Sequence, residues 1–331
     1  MRLIPGFLLL ACALSAAPAN ELKIFFIDVE GGQSTLFVSP SGESFLIDTG
    51  FAMDRDSDRI VAAAKAAGIS RIDHLLITHY HGDHAGGVKL LAGKMPIRRF
   101  YDRCPSQQVE EPEVYVNYSA VADKGVRTRI KPGDVIPVPG LDVRVLAAAG
   151  ESIIEPLPGA GQQNPECASF TEKKINIDEN MRSAGVLVTY GKFRMLDIGD
   201  LPWQWEKDLV CPVNKIGTVD VFLLPHHGNN DASVPQLVHA IHPRVAINDN
   251  GARKGSGAES FRRVADTPGL EGFWSLHFAL KDGKDNVPEP FIANPDENCE
   301  GKWIGIAAHA DGSFTVTNSR NGNQKRYRPK N

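Results

Sequence analysis

Short apolar runs divided by glycine- and proline-bearing turns dominate the early chain. From residue 22 the sequence reads LKIFFIDVEGGQSTLFVSPSGESFLIDTG, with β-rich runs at 22–29, 34–38 and 44–47. Gly-Gly and Pro-Ser-Gly between them predict a β-meander ending at Asp48. Residues 58–68 are alanine-rich and close on Gly68, which predicts a helix with a glycine stop. The run HLLIT at 74–78 predicts a short buried strand. The same grammar returns later: a hairpin at 185–190 and 192–198 about Gly191, a helix at 202–210, a buried strand at 219–224, a helix at 234–241, a strand at 244–248 and a glycine-containing loop at 250–257. Polar groups follow strand ends at 48, 79–84, 200 and 226. That is the layout of a layered α/β enzyme whose chemistry sits on loops at one edge of its sheets.

Residues 149–180 are rich in Pro, Gly and polar side chains and show little periodicity. A stretch of that length inside a compact domain predicts a lid or insertion over the site. No repeat or composition break marks a second domain, so 20–331 is read as one domain.

Composition adds exclusions. A chain of 331 residues, 42% hydrophobic and 23% charged, is that of a globular enzyme. A formal net charge of −4 excludes a basic coat for general nucleic-acid binding, leaving nucleic acid as a substrate only. The basic ending at 324–330 is expected to be a solvated, frayed terminus. At the other end, Arg2, an apolar run at 3–14 and small residues at Ala17 and Ala19 before Asn20 predict a secretory signal at 1–19 and a secreted or periplasmic mature chain. The run is shorter than the ~20 residues that span a bilayer, so no transmembrane segment is expected in the mature chain. Leu9-Leu10-Ala11-Cys12 also resembles a lipobox, which makes a lipid anchor on Cys12 the alternative. Cys104, Cys167, Cys211 and Cys299 then predict one or two disulfides among three possible pairings, and without a C-x-x-C pair they do not predict a cysteine zinc knuckle.

The densest chemistry is THYHGDHAGG at 78–87. His79 and His81 lie two apart and can face one ion from an extended segment, Gly82 permits a sharp turn, and Asp83 and His84 can face another ion beyond it. Four such donors in six residues after a buried strand point to metal.

This H-x-H-x-D-H pattern resembles that of the metallo-β-lactamase superfamily. FIDVEGGQSTLFVSPSGESFLIDTG is similar to its first hairpins and carries the motif aspartate Asp48; FRMLDIGDL carries Asp200; LLPHHG carries His226 and His227. The likeness covers roughly the whole mature chain and places it nearest the ComEC-like metallo-hydrolases, without the membrane segments of the DNA-uptake proteins. It implies a four-layer αβ/βα sandwich. It further implies that His79 and His81 hold one divalent ion, Asp83 and His84 a second, and that Asp200 bridges them. His226 or His227 completes the second set, His226 being favoured because it directly follows the strand and proline, and Asp48 buttresses the histidine loop.

One departure stands out. No histidine occurs from Ala85 to Pro225, where many family members place a third ligand of the first ion. Asn180 or Glu179, or water, is the expected replacement, which makes manganese more acceptable beside the favoured zinc. The activity implied is hydrolysis by a metal-bound water with Asp83 and Asp200 at the catalytic centre, most readily of phosphodiester bonds in nucleic acid or an envelope component. A lactone, β-lactam or thioester substrate is the alternative, and a non-catalytic binding protein on the same fold a further one. Asn250, Arg253 and Lys254, on a loop after a strand, are candidate substrate contacts.

Overall fold

The computed structural model describes residues 21–103, 109–281 and 285–330. The expected secretory signal, Cys12 and Cys104 lie outside the described residues. The first half runs β1 (Leu22–Phe26), β2 (Thr35–Val38), β3 (Ser44–Ile47), α1 (Asp54–Ala66), β4 (Ile72–Ile77), α2 (Gly82–Ala85), α3 (Val88–Lys94), β5 (Ile97–Arg103), α4 (Pro112–Ala122), β6 (Val126–Ile130), β7 (Val135–Ile136), β8 (Asp142–Ala148) and β9 (Glu151–Ser152). The second half runs β10 (Gly185–Tyr190), β11 (Phe193–Asp197), α5 (Trp203–Asp208), β12 (Val221–Leu223), α6 (Pro235–Ile241), β13 (Val245–Asn248), α7 (Ala258–Ala265), β14 (Gly272–His277), β15 (Ile292–Asn294), β16 (Ile304–Ala308), β17 (Phe314–Asn318) and β18 (Gln324–Tyr327).

Among the described residues these strands form two nine-stranded sheets, one ordered β18-β17-β16-β1-β2-β3-β4-β5-β6 and the other β15-β14-β13-β12-β11-β10-β8-β7, with β9 on β8. Period-two alternation assembles the layers. Ile24 and Phe26 of β1, Val186 and Val188 of β10, and Val221 and Leu223 of β12 point into the core between the sheets. Phe25 packs outward with Ile60 of α1 and Leu91 of α3. Leu187 and Phe222 pack outward with Leu237 and Ile241 of α6 and Val264 of α7. Strands buried on both faces and helices on the two outsides make the expected α/β sandwich.

The meander, the Gly191 hairpin and the strands before each polar cluster fall where the sequence predicts. The first helix begins four residues early, at Asp54, because Asp54 and Asp56 occupy its first turn, where carboxylates favour a helix start. The basic ending is not frayed: β18 pairs antiparallel with β17, and Tyr327 is buried in the core between the sheets. A strand whose polar residues face solvent at a sheet edge reads as a basic tail when only charge is counted.

The β3, β4 and β5 ladders are parallel, as are those of β11, β12 and β13. Their C-terminal ends therefore lie on one edge of each sheet, where ligand crevices of α/β folds form. Asp48 follows β3, His79 follows β4, Asp200 follows β11, His226 and His227 follow β12, and Asp249 follows β13. Ala184 N donates to Thr78 O at 2.8 Å, which joins the two sheets at that edge.

Candidate metal centre

The histidine loop enters the centre through a short turn, α2, held by close backbone packing. A Cβ on Gly32 would lie 2.3 Å from Asp83 O, so the β1–β2 connection needs glycine to lean on this loop. Gln33 N then donates to Asp83 O at 3.1 Å.

Imidazoles from two segments converge on one carboxylate oxygen. Asp200 Oδ2 lies 3.2 Å from His84 Nε2, 3.5 Å from His227 Nε2, and 3.9 Å from both His79 Nε2 and His226 Nε2. Asp83 Oδ2 lies 3.2 Å from His227 Nε2 and 3.6 Å from His84 Nε2. Asp83, His84, Asp200 and His227 thus present four donor atoms within 4.8 Å of one another. His81 Nδ1 stands 3.0 Å from His79 Nε2. Asp200 Oδ1 is buried with no hydrogen-bond partner, and so is Asn180 Oδ1.

The far nitrogens are tied down. Asp48 Oδ2 is 2.7 Å from His84 Nδ1, and Asp48 also accepts from Thr78 N and Oγ1 at 2.8 and 2.6 Å. His79 Nδ1 meets the Thr78 and Ser183 hydroxyls at 3.0 and 3.3 Å. Asp231 Oδ1 is 2.9 Å from His226 Nδ1, and Asp249 Oδ1 is 3.5 Å from His227 Nδ1, too long for a hydrogen bond. Fixing Nδ1 orients the ring and leaves Nε2 to face the centre, as metal-binding histidines require.

The electrostatics match. Burial opposes charge on Asp200, but His84, His227 and His226 hold its carboxyl well below the usual range. Burial also opposes charge on His84, but Asp200, Asp83 and Asp48 push its pKa up to about 10. Burial and the neighbouring His84 keep His79 well below the ordinary imidazole value, so its lone pair is available to a cation. The site carries buried carboxylates whose compensation comes from whatever positive charge stands between them.

Several expected residues sit elsewhere. His227, not the favoured His226, stands with Asp83 and His84; the left-handed turn after Pro225 carries the second ring deeper than the first. Glu179 does not face the centre: it pairs with Arg103 and Arg182 and accepts from Tyr80 N, so it anchors the strand end instead. Asn180 does reach the site, with its amide nitrogen 3.4 Å from His226 Nε2. Arg253 turns outward to Glu297, and Asn250 spends its amide on the backbone of Gly251 and His277, so neither forms the expected cradle. Lys254 of the same loop does reach in and pairs with Asp83. Of residues 149–180, only the C-terminal end enters the centre. Leu157 and Gly161 bond to the backbone of Lys215 and Asn214 beside the second sheet, and Cys167 is joined to Cys211. Cys299 is a free thiol. Ser183, Asp231 and Asp249 were not distinguishable in sequence, since no spacing rule marks a residue that touches a ligand from behind.

The family model described as the metallo-β-lactamase superfamily matches residues 27–161, which include the histidine loop. That match spans less than half of the chain, and with the curated relatives it supports a metal-dependent hydrolase of the metallo-β-lactamase kind. The chain is similar over much of its length to two curated bacterial proteins. It is 28% identical over 236 residues to competence protein ComA of Neisseria gonorrhoeae, and 23% identical over 245 residues to ComE operon protein 3 of Bacillus subtilis. These alignments cover 71% and 69% of this chain, but only 28% of the length of each relative. An atrochrysone carboxyl ACP thioesterase of Cryptosporiopsis is 31% identical over 123 residues, 37% of this chain and 32% of that protein.

Proposed function

We propose that the chain is a secreted hydrolase that uses two divalent ions and acts on phosphodiester bonds. The observation that carries the metal reading is the convergence of four imidazole nitrogens within 3.9 Å of Asp200 Oδ2, while the other oxygen of that buried carboxylate has no partner. A bridging carboxylate uses both oxygens, and this one has the second to spare. Asp83, His84 and His227 would hold one ion and His79 and His81 the other, with Asp200 between them. Zinc suits the imidazoles, and the thinner donor set around His79 and His81 admits manganese. Bound there, two cations supply Lewis acidity and acidify a water.

The chain's own residues do the rest. Asp48, Thr78, Ser183 and Asp231 hold the rings in place, and Lys254 puts an ammonium at the rim. An ammonium beside the centre favours a substrate that is anionic next to the scissile bond, as a phosphodiester is and a neutral lactone is not. The likeness to a thioesterase keeps thioester hydrolysis as the second reading. The Cys167–Cys211 disulfide supports an oxidising compartment and hence secretion.

Phosphodiester, thioester, lactone and β-lactam model compounds, assayed side by side with zinc and with manganese, test the proposal. Turnover of the phosphodiester that falls when Lys254 is made Met is expected. Turnover of the thioester alone would transfer the assignment to the second reading, and no turnover of any compound by metal-loaded protein would favour a binding protein.

A further inference from the structure

His226 and His227 are consecutive and both left-handed, with φ, ψ of 50°, 42° and 53°, 27°. Residues with a Cβ avoid that region, and two in succession persist only where the surroundings impose them. The surroundings here are tight: His226 N donates to Gly199 O at 3.2 Å, next to Asp200, and a Cβ on Gly255 would lie 2.3 Å from His227 O. The result is that both rings face the centre, with centroids 6.2 Å apart and planes 65° to one another.

The two rings approach the centre from different sides. His227 Nε2 joins His84 Nε2 at 3.3 Å and Asp83 Oδ2 at 3.2 Å. His226 Nε2 instead meets Asn180, whose neighbour Glu179 is bonded to Tyr80 N between His79 and His81. Asp178, which bonds Asn180 N, interacts electrostatically with His81 and His226 alike. His226 and His79 also stand at the same 3.9 Å from Asp200 Oδ2. Each ring has its own carboxylate behind it, Asp231 for His226 and Asp249 for His227.

We infer that the two histidines divide the centre, His227 serving the ion of Asp83 and His84 while His226 supplies the ion of His79 and His81 with the third imidazole that the interval from Ala85 to Pro225 lacks. This rests on the two-ion reading above and assigns one further residue to it. The missing ligand is recovered from a tandem histidine and a strained turn, and Asn180 becomes a neighbour of that ion instead of the replacement for it. Asp231 becomes a positioning residue for the same ion, since the hydrogen bond at Nδ1 sets the direction of Nε2.

Metal content after dialysis and stepwise zinc titration against a chelator test this without any substrate. Wild type should hold two ions. His226→Gly keeps the left-handed backbone without strain and should hold one, and His226→Ala should do the same if it folds by circular dichroism. His226→Gly combined with His79→Ala should still hold one ion, because both changes strike the same site, whereas His226→Gly with His84→Ala should hold none. Asp231→Asn should weaken one ion by ~10–100-fold and leave the other unchanged. A His226→Gly protein that keeps two ions at wild-type affinity would overturn the inference and leave the two-ion reading intact. So would a His226→Gly/His227→Gly protein that still holds one ion as tightly as either single variant. A folded wild type that binds no zinc would defeat the two-ion reading itself.

Discussion

Among the described residues, two places gather metal-type donors from distant parts of the chain, and they resolve their charge in opposite ways. One is Asp83, His84, Asp200 and His227; the other is Asp28, Glu30, His277 and Cys299. In the second, Arg59 of α1 reaches both carboxylates, at 2.9 Å from Asp28 Oδ2 and 3.1 Å from Glu30 Oε1. His277 Nε2 is 2.7 Å from Asp28 Oδ1, and the Cys299 thiol donates to Asp28 Oδ2 at 3.2 Å. A protein cation and protein hydrogen bonds have taken all four donors. At the first, Lys254 meets only Asp83, from a side chain that is 39% exposed, and Asp200 keeps a buried oxygen without a partner. Donor types alone therefore do not mark a metal centre. What marks it is the compensation the fold withholds.

The largest effect is expected at the carboxylate on which that contrast turns. Asp200→Asn keeps shape but removes the charge and the bridging capacity, so kcat/KM on any hydrolysed model compound should fall by on the order of 10³-fold, about 4 kcal/mol of barrier. Metal content should drop with it, while circular dichroism stays that of wild type because the ligands lie on loops. Asp200 is also three residues before α5, whose cap position is Pro202, so it is not a helix cap that Asn could fill. Full metal content with unimpaired hydrolysis would show that the carboxylate bridges nothing.

The second expected effect is on stability. Arg59→Met takes the guanidinium away from Asp28 and Glu30 in a site where Asp28 is fully buried, and should cost about 3 kcal/mol in urea unfolding at pH 7. Arg55, which stands 4.0 Å from Glu30 and is more exposed, should cost less than about 1 kcal/mol when changed the same way. The variant also breaks the comparison on purpose. With the guanidinium gone, the second cluster offers the same kinds of donor as the first, and zinc should raise the melting temperature of Arg59→Met by more than that of wild type. Equal zinc effects on the two proteins would show that Arg59 is not what keeps a cation out.

The contrast also explains what was legible in the sequence. Donors packed within six residues, such as His79 to His84, need only a strand and a sharp turn to converge, and both leave local marks. Asp200, His226 and His227 were legible because each follows an apolar strand directly. His226 and His227 could not be told apart, since the choice is made by two backbone angles that no spacing encodes. The Asp28 cluster was not legible, because Asp28 and His277 are 249 residues apart, just after β1 of one sheet and at the end of β14 of the other, and meet only where the two sheets pack together. The meander and the β10–β11 hairpin are apolar, β-rich runs set between glycine turns. The edge strand β18 was lost because three of its four residues face solvent and only Tyr327 reports the pleat.

A smaller effect is expected from acid. Burial opposes ionisation of Asp28, but His277, Arg59 and the Glu30 amide outweigh it and hold its carboxyl below the ordinary aspartate value. A folded pKa below the unfolded one stabilises the protein fully above the unfolded value, near 3.8, and the benefit disappears as pH falls below it. The stability gap between wild type and Asp28→Asn should therefore be widest at neutral pH and narrow as acid is added below pH 3.8. A gap independent of pH would mean that the carboxylate's charge is not what the cluster uses.

The smallest effect should come from Cys299, and it has a sign. Burial, with the carboxylates of Asp28 and Glu30 beside it, pushes the thiol up to about 12 from an ordinary 9. The folded protein thus holds this proton more tightly than the unfolded chain does. Its contribution to stability is complete below pH 9 and is lost as pH rises from there toward 12. Cys299→Ser keeps a hydroxyl donor to Asp28 Oδ2, so at pH 7 unfolding should shift by less than about 1 kcal/mol. The alkaline loss attributable to this group should vanish in the variant. Metal content should stay the same, because a thiol kept protonated between two carboxylates that Arg59 already neutralises is not a ligand. Loss of one equivalent of zinc from Cys299→Ser, measured beside wild type, would place a cation in the second cluster and erase the distinction between the two sites.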